Sequence, residues 1–172
     1  MPQDEIILDP VDRITVDALG KPGHRVFYIQ AAKAADTISL IIEKFQLLSL
    51  LEGTQEFFDE IYSRFPDLKP PEVDLQVDEM HILPPVDTLF RVGGMGLAYD
   101  ENRDLTCIFA HEGLISGESG RVVRFWCSRA QLVAVTEWGK TVIESGRPIC
   151  PQCGLPMEPE GHFCPKKNGH KH

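Results

Sequence analysis

The 172-residue sequence lacks any long hydrophobic run, since no stretch approaches the ~20 consecutive apolar residues that a transmembrane helix needs. The acidic residues 1–5 are not followed by the apolar core of a secretion signal. Cysteine is scarce as well, because the chain has five, three of them close together near the C-terminus, which is too few for a disulfide framework. We therefore expect a cytoplasmic protein that contacts no membrane.

Positive charge is also in short supply. Lysine and arginine number 17 against 26 aspartates and glutamates, which gives a formal net charge of -9. Binding to a phosphate backbone needs a basic surface, so this balance disfavours nucleic acid as a partner. A local basic cluster, Lys166, Lys167 and Lys171, lies at the C-terminus, and we interpret it as a solvated chain end.

The cysteines near the C-terminus have the spacing of a zinc site. Cys150 and Cys153 form a Cys-x-x-Cys turn, and Cys164 follows within a short loop. Thiolate and imidazole are ligands that zinc prefers, so the fourth ligand is either His162 or His170. Four protein ligands complete a tetrahedron and leave no position for a catalytic water, so we predict one structural zinc in a C-terminal knuckle.

A redox dithiol is the alternative interpretation of the Cys-x-x-Cys turn. Such a motif normally opens a helix, whose dipole lowers the pKa of the thiol. Pro151, Gly154 and Pro156 disfavour a helix at this point. The spacing therefore favours a metal site.

Short runs of β-branched and aromatic residues, separated by turn residues, predict seven strands. The predicted strands are residues 6–8, 14–16, 25–29, 37–42, 89–99, 105–110 and 121–127. Residues 20–23 form the turn of a hairpin. Cys107 and Cys127 fall within the apolar strands, so we expect buried, inert thiols.

Two segments have the apolar period of an amphipathic helix. The first begins at Lys44 and ends before Pro66, and the second follows a capping box from Ser128 to Gln131 and stops at Gly146. Gly53 interrupts the first helix at a cost of about 1 kcal/mol relative to alanine. We expect it to lie under a close packing contact or to mark a kink.

The chain repeats a β-β-β-α pattern, which indicates an internal duplication. Aligning the two helices places Gln46 on Gln131 and Leu47 on Leu132, although two unrelated units would show similar patterning. We predict an α+β domain over residues 1–146, with a mostly antiparallel sheet and two helices on one face. Its halves are 1–65 and 87–146, joined by an acidic, proline-rich connection, and residues 147–172 form the zinc-knuckle tail.

Residues 93–96, with three glycines, invite comparison with a phosphate-binding loop. Such a loop must open a helix, whereas the predicted strand continues through Tyr99. The glycines instead predict a bulge or a close approach of backbones. The acid/base candidates are His111 with Glu112 and Glu79 with His81, and no hydrolase or transferase motif accompanies them, so we name no catalytic residue.

Several short motifs together resemble a known family. They are Asp12-Arg13, Pro22-Gly23-x-Arg25-x-Phe27-Tyr28-x-Gln30, Phe90-Arg91-Val92-Gly93, Cys150-Pro151-x-Cys153-Gly154, Gly161-His162-x-Cys164-Pro165 and Asn168-Gly169. This combination resembles an uncharacterised bacterial family, domain of unknown function 3090, over nearly the whole chain. The resemblance implies a cytoplasmic protein with no assigned activity, and it favours His162 over His170 as the fourth zinc ligand.

Two functions fit these residues. The first is a zinc-stabilised binding or adaptor module whose partner is another protein. The alternative is an enzyme or small-molecule-binding protein with a groove between the two halves, lined by Arg13, Arg25, Gln30 and Arg91, for a phosphate or carboxylate ligand. The residues alone leave open whether the protein catalyses a reaction.

Overall fold

The computed structural model describes residues 4–113 and 120–145, together with Gln152. All seven predicted strands and both long helices are present, and a further single turn of helix lies between the halves. The strands are β1 Glu5–Leu8, β2 Arg13–Leu19, β3 Val26–Lys33, β4 Asp36–Ile42, β5 Thr88–Asp100, β6 Leu105–Glu112 and β7 Val122–Cys127. The helices are α1 Lys44–Arg64, α2 Val77–Met80 and α3 Arg129–Glu144.

The seven strands form one mixed sheet in the order β1-β7-β6-β5-β4-β3-β2. Hairpins make β2-β3-β4 and β5-β6-β7 antiparallel, whereas β4 pairs with β5, and β1 with β7, in parallel. The expectation of a mostly antiparallel sheet was therefore wrong. The reason is that α1 and the segment after it form a crossover, which returns the chain to start β5 in the same direction as β4.

The two ends of the strand order are joined through the short segment between β1 and β2. Val11 N donates to Trp126 O of β7 at 2.8 Å, and the next residue, Asp12, donates from its backbone N to Ala32 O of β3 at 2.8 Å. Because consecutive residues bond to β7 and β3, each the second strand from one end of the order, the sheet curls around a shared core. Phe125, with no exposed surface, is among the largest side chains in that core.

The two long helices pack together on the inner side of this curled sheet. A Cβ at Gly139 of α3 would lie 2.9 Å from Leu51 Cδ2 of α1 and 3.4 Å from Val16 Cγ2 of β2, so the glycine allows this close approach. Trp138 on α3 is 7% exposed, as expected of a core residue. Within the described residues, no helix is long and apolar enough to cross a membrane.

The first turns of α1 and α3 are built alike. Gln46 Oε1 accepts from Glu43 N at 2.7 Å, and Gln131 Oε1 accepts from Ser128 N at 2.8 Å, so both helices begin with a capping box. Each glutamine therefore occupies the third position of its helix, as the sequence alignment of the two halves implies. The element order β-β-β-α also occurs twice, which supports the internal duplication.

The acidic connection between the halves lies on the outer side of β2 and β3. Thr15 Oγ1 donates to Met80 O at 2.5 Å, and Ile82 N donates to Asp17 Oδ2 at 2.8 Å. Both β2 residues are buried. Residues 79–83 are therefore held against the first half by side chains that bond to their backbone, and the connection is more than a spacer.

Candidate binding groove between helix α1 and strand β5

Strand β5 is much longer than its pairing with β4. The two strands pair only at Ser39 with Thr88, Leu40 with Phe90 and Ile41 with Arg91. Strand β4 then ends at Ile42, while β5 continues to Asp100. Over its second half, β5 consequently has β6 on one side and no other strand among the described residues on the opposite side.

The backbone of this second half presents hydrogen-bonding groups to the open side. Glu112 N donates to Arg121 O at 2.9 Å, so the backbone N–H of Glu112 points away from β5. The backbone groups of every second residue along β6, counted from Glu112, therefore also point away from β5. In an antiparallel pair, the residues opposite these outward-facing positions also turn their N–H and C=O groups away from their partner strand. The backbone groups of Met95, Leu97 and Tyr99 therefore point to the open edge.

Helix α1 runs beside this edge and contacts β5 at both ends. Gln46 Nε2 donates to Val92 O at 3.0 Å near the start of the helix, and the rings of Phe65 and Tyr99 meet edge-on at 6.0 Å after its end. Between these contacts lies a groove of about 460 Å³. It is lined by residues 45, 46, 49, 50, 53, 56, 57 and 60 on the helix side and by residues 93–97 of β5.

Gly53 widens this groove. A Cβ built at Gly53 meets no atom within 4 Å, so the close packing contact, one of the two roles expected for this glycine, is absent. The glycine costs about 1 kcal/mol relative to alanine within a helix. That cost is not recovered by packing among the described residues, and the missing side chain leaves space opposite the strand.

The glycines of β5 have the role that their position in a strand predicts. The pairing register shifts between Val92 and Gly94, which marks a bulge. A Cβ at Gly93 would lie 2.8 Å from Gly113 Cα, and one at Gly96 would lie 2.5 Å from Phe109 Cζ. The predicted bulge and close approach are confirmed, and the glycines are part of a strand rather than a phosphate-binding loop.

The groove combines an apolar floor with an acidic rim. Leu50, Phe57, Met95 and Leu97 supply apolar surface, and Phe45, which is 66% exposed, extends it toward solvent. The exposed carboxylates of residues 56 and 60 stand one helical turn apart at the rim. No lysine or arginine lines the groove in the part of the chain that the structure describes, so it suits a ligand that is both apolar and cationic.

Two residues of the predicted arginine-lined groove lie together, and both bind the protein's own backbone. Arg13 Nη1 donates to Gln30 Oε1 at 3.0 Å. Arg13 also donates to the carbonyl oxygens of Glu79 and His81, and Gln30 exchanges two hydrogen bonds of 2.9 Å with Leu83. These side chains therefore hold the connection between the halves in place.

The other two residues lie elsewhere. Arg25 Nη1 donates to Val142 O of α3 at 2.6 Å, and its guanidinium lies 4.9 Å from the centre of the Phe27 ring. Burial lowers the pKa of Arg25, an effect that Asp17 opposes. Arg91 pairs with Glu43 at the exposed start of α1. The structure thus does not bring the four predicted residues into one groove.

Arg25, Asp17 and His81 line a separate depression of about 360 Å³. His81 Nδ1 lies 3.4 Å from Asp17 Oδ2, and its ring meets Trp138 edge-on at 4.9 Å. Sequence reasoning singled out His81 but missed Asp17. An aspartate within the apolar β2 was the available signal.

The other predicted acid/base pair, His111 and Glu112, is engaged in contacts within the protein. Arg121 bonds to both carboxylate oxygens of Glu112, and this lowers the pKa of Glu112 to about 2. The ring of His111 meets Phe109 edge-on at 5.9 Å. Glu112 is therefore ionised near neutral pH and acts as an ion-pair partner, so it is poorly suited to donate a proton.

The predicted zinc ligands Cys150, Cys153, His162 and Cys164, and the alternative His170, lie outside the described residues. Within residues 4–113 and 120–145, no group of three or more histidine, cysteine, aspartate or glutamate side chains could hold a metal ion.

The two cysteines within the described strands are both buried and free. Burial raises the pKa of Cys107 to about 11 and that of Cys127 to about 12. These thiols are therefore protonated near neutral pH, which confirms the prediction of buried residues with little reactivity.

The fold is that of an α+β protein with a curled, mixed sheet, in which β1 joins the six strands of two β-β-β-α units. The chain belongs to the family described as Protein of unknown function (DUF3090), whose model matches residues 7–164. This match includes the whole of α1 and β5 and extends to Cys164 of the predicted zinc motif. No curated protein and no solved structure matches the chain.

Proposed function

We propose that this protein is a binding module that recognises another protein through the groove between α1 and β5. The observation that carries the proposal is the open edge of β5 directly beside an apolar floor. A groove of about 460 Å³ also lies within the usual size of ligand sites, roughly 300–1,000 Å³. Recognition of a protein would use both features, because backbone groups need hydrogen-bonding partners and apolar surface favours burial.

The side chains of the groove support binding better than catalysis. Its polar side chains are those of Gln46, Ser49, Glu56 and Glu60, and Gln46 is already bonded to Val92 O. Ser49 has no histidine beside it among the lining residues of the described chain, so nothing there would activate it as a nucleophile. The groove is therefore proposed as a recognition surface.

The proposal includes a structural zinc in the C-terminal tail, held by Cys150, Cys153, Cys164 and His162. Its support is the ligand spacing, together with the preference of zinc for thiolate and imidazole. The two free, buried thiols in the described strands suit a reducing compartment, which supports a cytoplasmic location.

Site-specific photocrosslinking in the native host tests the proposed recognition surface. A benzophenone amino acid is placed at Ser49, which is exposed and lines the groove, or at Gln55, which is exposed on the same helix outside it. We expect a defined protein to be crosslinked from residue 49 and not from residue 55. Identical crosslinks from both positions, or none from residue 49, would contradict the proposal.

A second candidate function is binding of a phosphate or carboxylate ligand in the depression beside Arg25. The observation that favours it is the presence of Arg25 and His81 in one cavity of about 360 Å³. Asp17 in the same cavity would repel an anion and weaken this binding. Titration with inorganic phosphate, followed by NMR, should shift the Arg25 side-chain signals and the backbone amide signals of neighbouring residues in the wild type. Those amide signals should stay unshifted in an Arg25→Gln variant. An unshifted wild type would remove this candidate.

A further inference from the structure

We propose that the partner binds as an extended peptide segment, which adds to the open edge of β5 as a new strand and carries lysine or arginine beside its apolar residues. This inference rests on the proposed function, since it specifies what the groove between α1 and β5 binds.

A row of backbone groups lies along the open side of β5. Met95, Leu97 and Tyr99 each direct one N–H and one C=O to the open side, at the spacing with which a neighbouring strand presents its own groups. Strand β4 would occupy this position, about 4.8 Å away, if it did not end at Ile42. An extended peptide can take that position and satisfy the row by main-chain hydrogen bonds.

The side chains of an added strand would alternate between the two faces of the sheet. Every second side chain of an added strand points to the same face of the sheet. Those on the α1 side would enter the groove opposite Gly53, where no side chain fills the space, and would meet Leu50, Phe57 and Met95. Apolar residues at alternate positions of the peptide fit this surface.

The rim of the groove carries negative charge. The carboxylates of Glu56 and Glu60 flank the groove, and no described lining residue neutralises them. Lysine or arginine in the bound segment would pair with them at the rim. A second copy of this chain is a poorer occupant, because pairing two β5 edges across a two-fold axis would bring four carboxylates of like charge together.

The test uses the full-length protein and a blocked seven-residue peptide whose positions 1, 3, 5 and 7, which share one face of a strand, are lysine, leucine, leucine and lysine, and whose other positions are threonine. Binding is followed by NMR, and amide hydrogen exchange is measured residue by residue. We expect the amides of Met95 and Leu97 to exchange at least about 10-fold more slowly when the peptide is bound, because strand addition gives them hydrogen-bond acceptors. Unchanged exchange at both residues, at saturating peptide, overturns the proposal.

Charge variants test the rim. Glu56→Gln and Glu60→Gln should each weaken binding by roughly 2- to 5-fold, as expected for an exposed ion pair. Glu52→Gln is the matched control, because Glu52 is exposed on the same helix but does not line the groove. Equal effects of all three substitutions would show that general electrostatic attraction governs binding, and would contradict pairing at the rim.

A second peptide separates strand addition from other binding in the same groove. It has the same sequence, with N-methyl groups on the alternate residues that would donate to β5, so it retains its charges and side chains. We expect its affinity to fall at least 10-fold. If it binds as tightly as the first peptide and shifts groove resonances without protecting Met95, strand addition is wrong while the binding module stands. If neither peptide shifts any groove resonance, the peptide proposal is overturned, and crosslinking from residue 49 decides the proposed function separately.

Discussion

Gln46 Nε2 donates to Val92 O at 3.0 Å, and this bond fastens the first turn of α1 to the strand whose edge lies open beyond it. Gln46 is 7% exposed, so the bond is shielded from water. Its counterpart in the second half, Gln131 Nε2, reaches Val11 O at 3.4 Å. In each half, the glutamine in the first turn of the helix thus forms a hydrogen bond to the backbone of the other half.

The two glutamines allow a matched test of these hydrogen bonds between the halves. Gln46→Ala should destabilise the protein by about 2 kcal/mol, because it removes the cap and leaves the buried Val92 carbonyl without its donor. Gln131→Ala should cost about half as much, since its second bond is longer and its site is only partly buried. Urea unfolding of both variants measures the difference. Equal losses would show that only the cap contributes.

Two glycines in the helices should respond differently to alanine. Gly53→Ala should stabilise the protein by about 1 kcal/mol, because its Cβ would meet no atom within 4 Å and alanine favours the helix. Gly139→Ala should stabilise it less or not at all, because its Cβ would lie 2.9 Å from Leu51 Cδ2, and displacing that leucine offsets the gain in helix propensity. Thermal unfolding of the pair checks this order. A destabilising Gly53→Ala would mean that the groove is filled.

The ion pair of Glu112 with Arg121 predicts a loss of stability in acid. Arg121 lowers the pKa of Glu112 to about 2, below the usual value of about 4.3. The contribution is therefore fully present above about pH 4.3 and is lost as the pH falls toward 2. Glu112→Gln should flatten the dependence of unfolding free energy on pH across this range, whereas Glu52→Gln serves as a control on an exposed carboxylate. An unchanged slope in Glu112→Gln would contradict the assignment.

The zinc prediction concerns residues outside the described part of the chain. Protein purified without chelators should contain one zinc, and Cys150→Ser should lose it. His162→Ala should weaken zinc binding far more than His170→Ala, and the reverse order would make His170 the fourth ligand. Metal content by mass spectrometry separates these outcomes, and wild-type protein without zinc would refute the site. Chelation should leave the far-ultraviolet circular dichroism of the main domain largely intact, because that domain has its own core.

The elements of the fold could be predicted from the sequence because their signals are local. Alternating apolar residues marked the strands, and the capping box from Ser128 to Gln131 marked the start of α3 correctly. The mixed sheet could not be predicted in this way. The parallel pairing of β4 with β5 joins residues such as Leu40 and Phe90, which are far apart in sequence, and no local pattern encodes it.

The candidate site was harder to predict for the same reason. The groove exists because β4 ends before β5 does, a relationship between two strands separated by the whole of α1. Gly53 was a visible signal, but its cost in a helix suggested close packing, whereas the structure shows open space. Arg13 and Gln30 were singled out as ligand-binding residues, and their hydrogen bonds to the distant residues 79–83 could be seen only in the folded chain.

Amide hydrogen exchange of the free protein tests the open edge of β5 most directly, because it needs no partner. The amides of Gly96 and Ala98 face β6 and should be strongly protected, whereas those of Met95 and Leu97 should exchange at least about 100-fold faster. Comparable protection of Met95 and Leu97 in the full-length protein would show that another segment already covers the edge, and would contradict the groove as a binding site.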